Sequence, residues 1–514
     1  MNRKLDFPAL LLFTALLFGA IVRFYPAITN GFPLNDGGMF YTMVQDLKSN
    51  GYALPQFTTY NHADIPFTYP PFGFYAAALL SALLPGSDLL IFLYLPALVN
   101  TFSILAFYLF AKETLNSRTL ASLAVIVFSL SSRSFLWQVM GGGITRSFGM
   151  LFLLLMLWQA IQLFREYKNK YLFLTILFGA GAVLSHPQTA LHAALGGLLI
   201  FLFYGLNKRG FLSAVFVGLG VALLTSPWWG LVLSRHGIQP FLSAGQTSQR
   251  TLESYLAVIQ FNGLGDYLFL PIAILAVVGM YVFFKQRSYF LVTWIILASL
   301  IDPRGADGIA LLSMSMLAGA GLQKLAAWVS RSGDGQAEAV FMKRSSLTLT
   351  FGMIFMFLLA AMVADFQLLN TSLKSADLEM VDWVKSNVDE GKTFLLATGR
   401  EFSMSDPMQE WFPSLTEQYS LTTLQGLEWT LADNFFPWSE QLVAFQHCTD
   451  AACVDEWSTR NGTEYDYLIV MIPEEAELDE LSNALRSLAV SVRGSNMYSL
   501  VYESERALVF EYKK

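Results

Sequence analysis

Residues 28–75 read ITNGFPLNDGGMFYTMVQDLKSNGYALPQFTTYNHADIPFTYPPFGFY, which sets Asp36, Asp46, Asp64 and His62 among a dense run of aromatics. The stretch directly follows the first apolar segment and is too polar to lie in hydrocarbon. Carboxylates facing water beside a membrane are suited to proton transfer, so chemistry is expected here. Asp36 also has a structural reading as the N-cap of a short helix starting at Gly37, since Asp is a favoured cap; the two roles are compatible. Gly37-Gly38 would let the backbone approach a ligand closely, or merely make a turn.

Other polar residues interrupt apolar runs. His186 and His192 lie six apart, which is not one helical face, and Pro187 between them marks the end of a span; they suit the lining of a polar pocket better than a metal site. Trp228-Trp229 reads as an interfacial anchor. Cys448 and Cys453 have only His447 close by, too few ligands for zinc, and a local disulfide is expected if that part of the chain lies outside the cytoplasm.

The elements that must position these residues are mostly apolar. With 54% hydrophobic and 14% charged residues over 514 positions, and a mean hydropathy of +0.47, the chain fits the integral membrane class. Eleven spans are expected, at 8–27, 88–111, 119–136, 148–164, 171–185, 191–206, 211–227, 267–284, 289–301, 308–329 and 346–366, with almost no ionisable residues inside them. Met1 to Asp6 lead into the first as an uncleaved span. Residues 72–84, between Pro70-Pro71 and Pro85-Gly86, are short enough to lie along the interface as a helix.

Charge then orients the chain. Fifteen Lys and Arg fall in one set of loops and six in the other, which expects a cytoplasmic N-terminus, an extracytoplasmic C-terminus and every unusual loop on the outer face. Beyond residue 370 the balance turns acidic, with 25 Asp and Glu against 9 Lys and Arg after residue 374. Residues 371–514 are expected to form an α/β domain on the outer side: helices at 378–388 and 475–488, buried strands at 393–397 and 467–471, and a closing strand pair at 498–502 and 507–512. The aromatic run EWFPSLTEQYSLTTLQGLEW (410–429) either faces the membrane part or fills that domain's core.

An N-terminal span, a large loop (28–87) opening on NDGGMFY (35–41) and a YPPFGFY-led interfacial helix (69–75) resemble the GT-C superfamily of membrane glycosyltransferases, most nearly the protein O-mannosyltransferases and the lipid A aminoarabinose transferases. The resemblance is architectural over about residues 1–370 and rests on motifs only in those two stretches. It implies a polyprenyl-phosphate-linked sugar as donor and an acidic residue of the first outer loop in catalysis, by position Asp36, which would take the acceptor proton. Asp64, close to His62, could orient the acceptor or help hold a divalent metal, or stand as a solvated loop residue. Related transferases often carry a basic residue just before the Pro-Pro pair; Tyr69 stands there instead, so the cation for the leaving phosphate must come from elsewhere. Arg146, beside Gly141-Gly142-Gly143, is the first choice and Arg304 the second, each with the alternative of reaching from the membrane edge to water.

The expectation is a polytopic α-helical membrane protein of GT-C type that moves a sugar from a polyprenyl-phosphate donor to an unnamed acceptor outside the cell membrane, with no nucleic-acid partner and with metal dependence left open. A transporter or flippase for lipid-linked saccharide is the first rival and would need charged or broken helices near the bilayer midplane. A non-catalytic scaffold whose acidic tail binds a partner is the second.

Overall fold

The computed structural model describes residues 6–246, 269–303, 305–332, 340–341, 343–473 and 479–513. Long apolar helices dominate up to residue 369. In chain order they are α1 (Phe7–Asn30), α2 (Gly38–Ser49), α3 (Phe72–Leu83), α4 (Asp88–Leu115), α5 (Arg118–Leu130), α6 (Leu136–Val139), α7 (Gly143–Glu166), α8 (Asn169–Ser185), α9 (Pro187–Tyr204), α10 (Lys208–His236), α11 (Gln239–Gln246), α12 (Phe269–Lys285), α13 (Phe290–Ile301), α14 (Ala306–Val329) and α15 (Arg344–Leu369). Seven of them are long and apolar enough to cross a bilayer, among the described residues: α1, α4, α7, α9, α10, α14 and α15. Ten of the eleven expected segments lie on one helix each, residues 267–268 of one of them falling outside the described residues, and residues 72–83 form the short α3 between its flanking prolines.

Local chemistry sets the ends of these helices. Asp6 caps α1 by accepting from the Ala9 amide, and Gly31 in the left-handed region stops it. Ser117 and Asn207 cap α5 and α10 in the same way. The expected span 119–136 is not one helix: α5 stops at Leu130, and the chain turns by 86° into Ser132–Val139. Ser131 is extended there, and the Ser129 carbonyl just before it accepts from a buried cation. Arg23 of α1 is fully buried and donates to the Ser129 carbonyl at 2.7 Å, to Ser134 Oγ at 2.9 Å and to Asn100 Oδ1 at 2.5 Å. Asp365 of α15 is buried as well, so ionisable residues do sit inside apolar helices. Arg23 serves as a fastener for the bend, because its donors are spent on α4, α5 and the turn after it.

The C-terminal region is a five-stranded mixed sheet with helices around it. Strands β1 (Thr393–Ala397), β2 (Tyr419–Ser420), β3 (Tyr467–Met471), β4 (Tyr498–Glu503) and β5 (Ala507–Tyr512) lie in the order β2-β1-β3-β5-β4. The β1 pairings to β2 and β3 are parallel, and β5 runs antiparallel to both β3 and β4. TFLLA and YLIVM read as unbroken apolar runs because β1 and β3 are covered on both faces. The helices are α16 (Ser375–Asn387), α17 (Pro407–Thr416), α18 (Phe435–Gln446), α19 (Ala451–Asn461) and α20 (Glu480–Gly494). Of the helix expected at 475–488, residues 475–478 lie outside the described residues, and α20 begins at Glu480 with Asp479 as its cap. Cys448 and Cys453 are joined by a disulfide across the start of α19.

The two parts share a core. Phe32, Phe40, Tyr60 and Phe74 from residues 28–87 pack with Phe394, Trp411, Phe412 and Val509 in one buried cluster. The aromatic run 410–429 therefore faces the first loop. Trp411 sits against Phe32 and Tyr41 with ring centroids 5.0 and 5.9 Å apart, and its indole N–H donates to the Asn35 carbonyl at 2.9 Å.

Candidate active site

Two glycine-bearing turns meet where the first loop enters α2. Gly37 has φ +125°, a backbone shape open to glycine and strained for other residues. Opposite it, a Cβ on Gly141 would lie 2.0 Å from the Asp36 carbonyl oxygen, so the two backbones touch only because both residues lack side chains. The contact is fixed by Gly141 N–H donating to the Leu34 carbonyl at 2.9 Å.

That contact aims Asp36 at the start of α7. Its Oδ1 accepts from the Gly142 N–H at 3.0 Å, and its two oxygens accept from the Arg146 guanidinium at 2.8 and 3.0 Å. The fork is bidentate, the geometry in which Arg and a carboxylate bind best. Asp36 does not cap α2: the N-cap is Gly37, and no side chain of the cap residue bonds into the helix. The capping reading fails because the carboxylate is drawn to a cation instead.

Arg146 is held from behind. Its Nε donates to the Trp137 carbonyl at 2.7 Å, and its guanidinium lies 5.6 Å over the Trp137 ring. Three of its five N–H donors are thereby used, leaving two for a further anion. The Arg146 and Asp36 side chains are 17% and 12% exposed, enough for a ligand to reach them.

Tyr69 and His186 close the side of the pair. The Tyr69 ring packs on Phe40 at 4.7 Å, on Trp429 at 6.0 Å and on His186 at 6.2 Å, with its hydroxyl bonded to Thr145. Burial pushes the Tyr69 phenol up to about 12, against the pull of Thr145 and Arg146, so it stays neutral and donates. His186 sits between α8 and α9 with Nδ1 buried and unbonded. Burial first and the Arg146 charge second push its imidazole down to about 3, which keeps it uncharged. Behind it His192 Nε2 lies 3.0 Å from Asp302 Oδ2, to which Gln188 also donates at 2.9 Å. Burial raises the Asp302 acid, but His192, the Gly305 N–H and Gln188 outweigh it and hold the group below the usual carboxylate range.

Asp36, Arg146, Tyr69 and His186 are thus brought together, with His192 one layer deeper. His62 and Asp64 are exposed, and His62 pairs with the Glu417 carbonyl at 2.9 Å, away from the Asp36 fork. Asp46, also in the first loop, is buried and spent on Thr58 and Thr59. Arg304 lies outside the described residues. Among those residues no group of three or more His, Cys, Asp or Glu converges as a metal site. Sequence reasoning missed Glu410, Glu428, Trp429 and Thr145. The run 410–429 carried the signal for the first three, with one Glu at or near each end, and GGGITRS (141–147) for Thr145.

No family model matches the chain, and no curated protein matches it. Among solved structures it is similar to the apo crystal structure of ArnT from Cupriavidus metallidurans, with a TM-score of 0.60 and 14% identity over 98% of this chain and 97% of that one. The same protein bound to undecaprenyl phosphate gives 0.58 and 13%, over 98% and 97%. The arabinofuranosyltransferase AftD from Mycobacteria gives 0.59 and 15%, over 99% of this chain and 42% of that one. The chain shares its fold with ArnT and AftD. It is a multi-pass membrane protein of that fold, and the likeness runs over nearly its whole length, the C-terminal sheet included.

Proposed function

We propose that this protein is a GT-C glycosyltransferase that moves a sugar from a polyprenyl-phosphate donor to an acceptor on the extracytoplasmic face. The observation that carries this reading is the largely buried but reachable Asp36–Arg146 fork, set on two touching glycine turns. The ArnT structure bound to undecaprenyl phosphate, with the same fold, supports the lipid half of the donor.

In this reading the donor phosphate takes the two free Arg146 donors and competes with Asp36 for the others. Asp36, partly released, accepts the proton of the acceptor hydroxyl as that oxygen bonds to the anomeric carbon. The bond from that carbon to the phosphate oxygen breaks with its electron pair on the polyprenyl phosphate, whose negative charge Arg146 meets. Tyr69 and His186 act as neutral walls, the Tyr69 hydroxyl being engaged with Thr145. Asp64 and His62 are assigned no step. The membrane part spans about residues 1–370, with eleven crossings, a cytoplasmic N-terminus and residues 371–514 outside.

The test is extraction of bound lipid from the purified protein, with the headgroup identified by mass spectrometry. A polyprenyl-phosphate sugar, turned over on adding membrane acceptors, is expected. Saccharide lipid moved across vesicles without any change in its linkage would favour a flippase instead.

A further inference from the structure

Besides Trp411, a second side chain of the C-terminal region reaches the Asp36 turn. Glu410, at 1% exposure in the first turn of α17, accepts at Oε1 from the Gly37 N–H at 3.1 Å and from the Met39 N–H at 3.2 Å. These are the free donors at the start of α2, which no residue of its own turn caps. The Glu410 backbone is fixed in turn. Its carbonyl accepts the Tyr60 hydroxyl at 2.8 Å, and a Cβ on Gly38 would lie 2.2 Å from that same oxygen, so α17 and α2 meet backbone to backbone. The peptide carrying Asp36 is held by Gly141 and Gly142 on one side and by Glu410 on the other. Glu410 Oε2 is buried and makes no hydrogen bond.

We propose that Glu410 is a positioning residue of the active site, which clamps the Asp36–Gly37 turn so that docking of the C-terminal region sets how Asp36 and Arg146 face the donor phosphate. The inference rests on the glycosyltransferase reading of that fork. The charged and titratable groups facing Glu410 are Asp36 before α2, Arg146 on α7, Glu428 after the aromatic run and Tyr60 in the first loop. Burial first, then Asp36, push the Glu410 acid up to about 8, against the two N–H donors. Neutral Glu410 offers its carbonyl oxygen to α2 without adding charge beside Asp36. Ionised Glu410 would add a second negative charge near Arg146 and oppose an anionic phosphate.

The experiment uses the whole protein in detergent, with undecaprenyl phosphate as the probe and peptide-level hydrogen exchange over residues 34–47. In Glu410→Ala the amides at the start of α2 are expected to exchange faster and probe affinity to fall about tenfold at about pH 7. Glu410→Gln keeps an oxygen for both N–H groups and should restore each to within about threefold of wild type. From about pH 7 to about pH 9 wild-type affinity should fall further than that of Glu410→Gln, whose difference from wild type cancels the probe's own titration. Wild-type exchange and affinity in Glu410→Ala would overturn the proposal, as would a Gln variant as impaired as Ala. Should the Ala variant not fold, the pH comparison of wild type with Glu410→Gln decides, and equal pH slopes overturn it. Wild-type protein that binds no undecaprenyl phosphate defeats the glycosyltransferase reading, whereas wild-type binding with an unaltered Glu410→Ala defeats only the role of Glu410.

Discussion

The Asp36–Arg146 fork makes opposite demands on its two members, and substitutions separate them. Asp36→Asn keeps an oxygen to accept the Gly142 N–H, so the turn should survive and the melting temperature should move little. Transfer should drop by roughly 100- to 10,000-fold, the usual worth of general base catalysis, with undecaprenyl phosphate binding retained. Retained transfer would remove Asp36 as the base. Arg146→Lys keeps the charge but gives up the planar fork and the Nε bond to Trp137. Its binding of undecaprenyl phosphate, measured by native mass spectrometry, is expected to weaken about tenfold, and Arg146→Ala should weaken it further. Unchanged affinity in both would move the phosphate site away from α7. Both residues were legible from sequence as candidates by type and by neighbouring glycines. Their pairing was not, because 110 positions separate them and nothing local marks one as the partner of the other.

At the scale of elements, the site depends on where helices stop. The break after Leu130 turns the chain so that Gly141–Gly143 can pass under the Asp36 carbonyl and begin α7 with Arg146 in its first turn. Gly141→Ala puts a methyl 2.0 Å from that carbonyl, so one turn must move. A cost of about 1–3 kcal/mol is expected, with weaker undecaprenyl phosphate binding, as thermal unfolding and binding would report. Gly218→Ala in α10 meets nothing within 4 Å and serves as the control; it should leave both unchanged or raise stability slightly. Equal effects of the two substitutions would mean that the close approach does not matter. The sequence marked GGGITRS (141–147) as unusual. It did not mark the bend, since 119–136 is apolar enough to pass for one helix, and the buried Arg23 that receives the broken end lies on α1.

On the scale of the whole molecule, the first loop and the C-terminal region form a single folded face. Residues 28–87, the end of α10, α11 and the sheet meet there: Arg235 donates to the Leu54 and Pro55 carbonyls at 2.8 and 2.9 Å, and Ser243 to the Glu428 carbonyl at 2.8 Å. If this face is extracytoplasmic, an impermeant thiol reagent applied to intact cells after reduction should label Cys453, the more exposed of the disulfide pair. A cysteine placed between residues 331 and 344 should label only after the membrane is broken. The reverse pattern would overturn the proposed orientation.

By itself the sequence determined the class of the protein and the places where its helices lie, because hydrocarbon admits only long apolar runs with internally satisfied backbone, and that demand is written residue by residue. It also determined the buried strands TFLLA and YLIVM, for the same local reason. Only the tertiary structure decided which polar residues share a site. Asp36 meets Arg146, while Asp64 and His62 are left to solvent and to Glu417. Glu410, which sequence reading passed over, caps the helix that Asp36 was expected to cap. Such partnerships join residues more than a hundred positions apart, and they are set by which backbones can approach within van der Waals contact, a property of packing that no local pattern encodes.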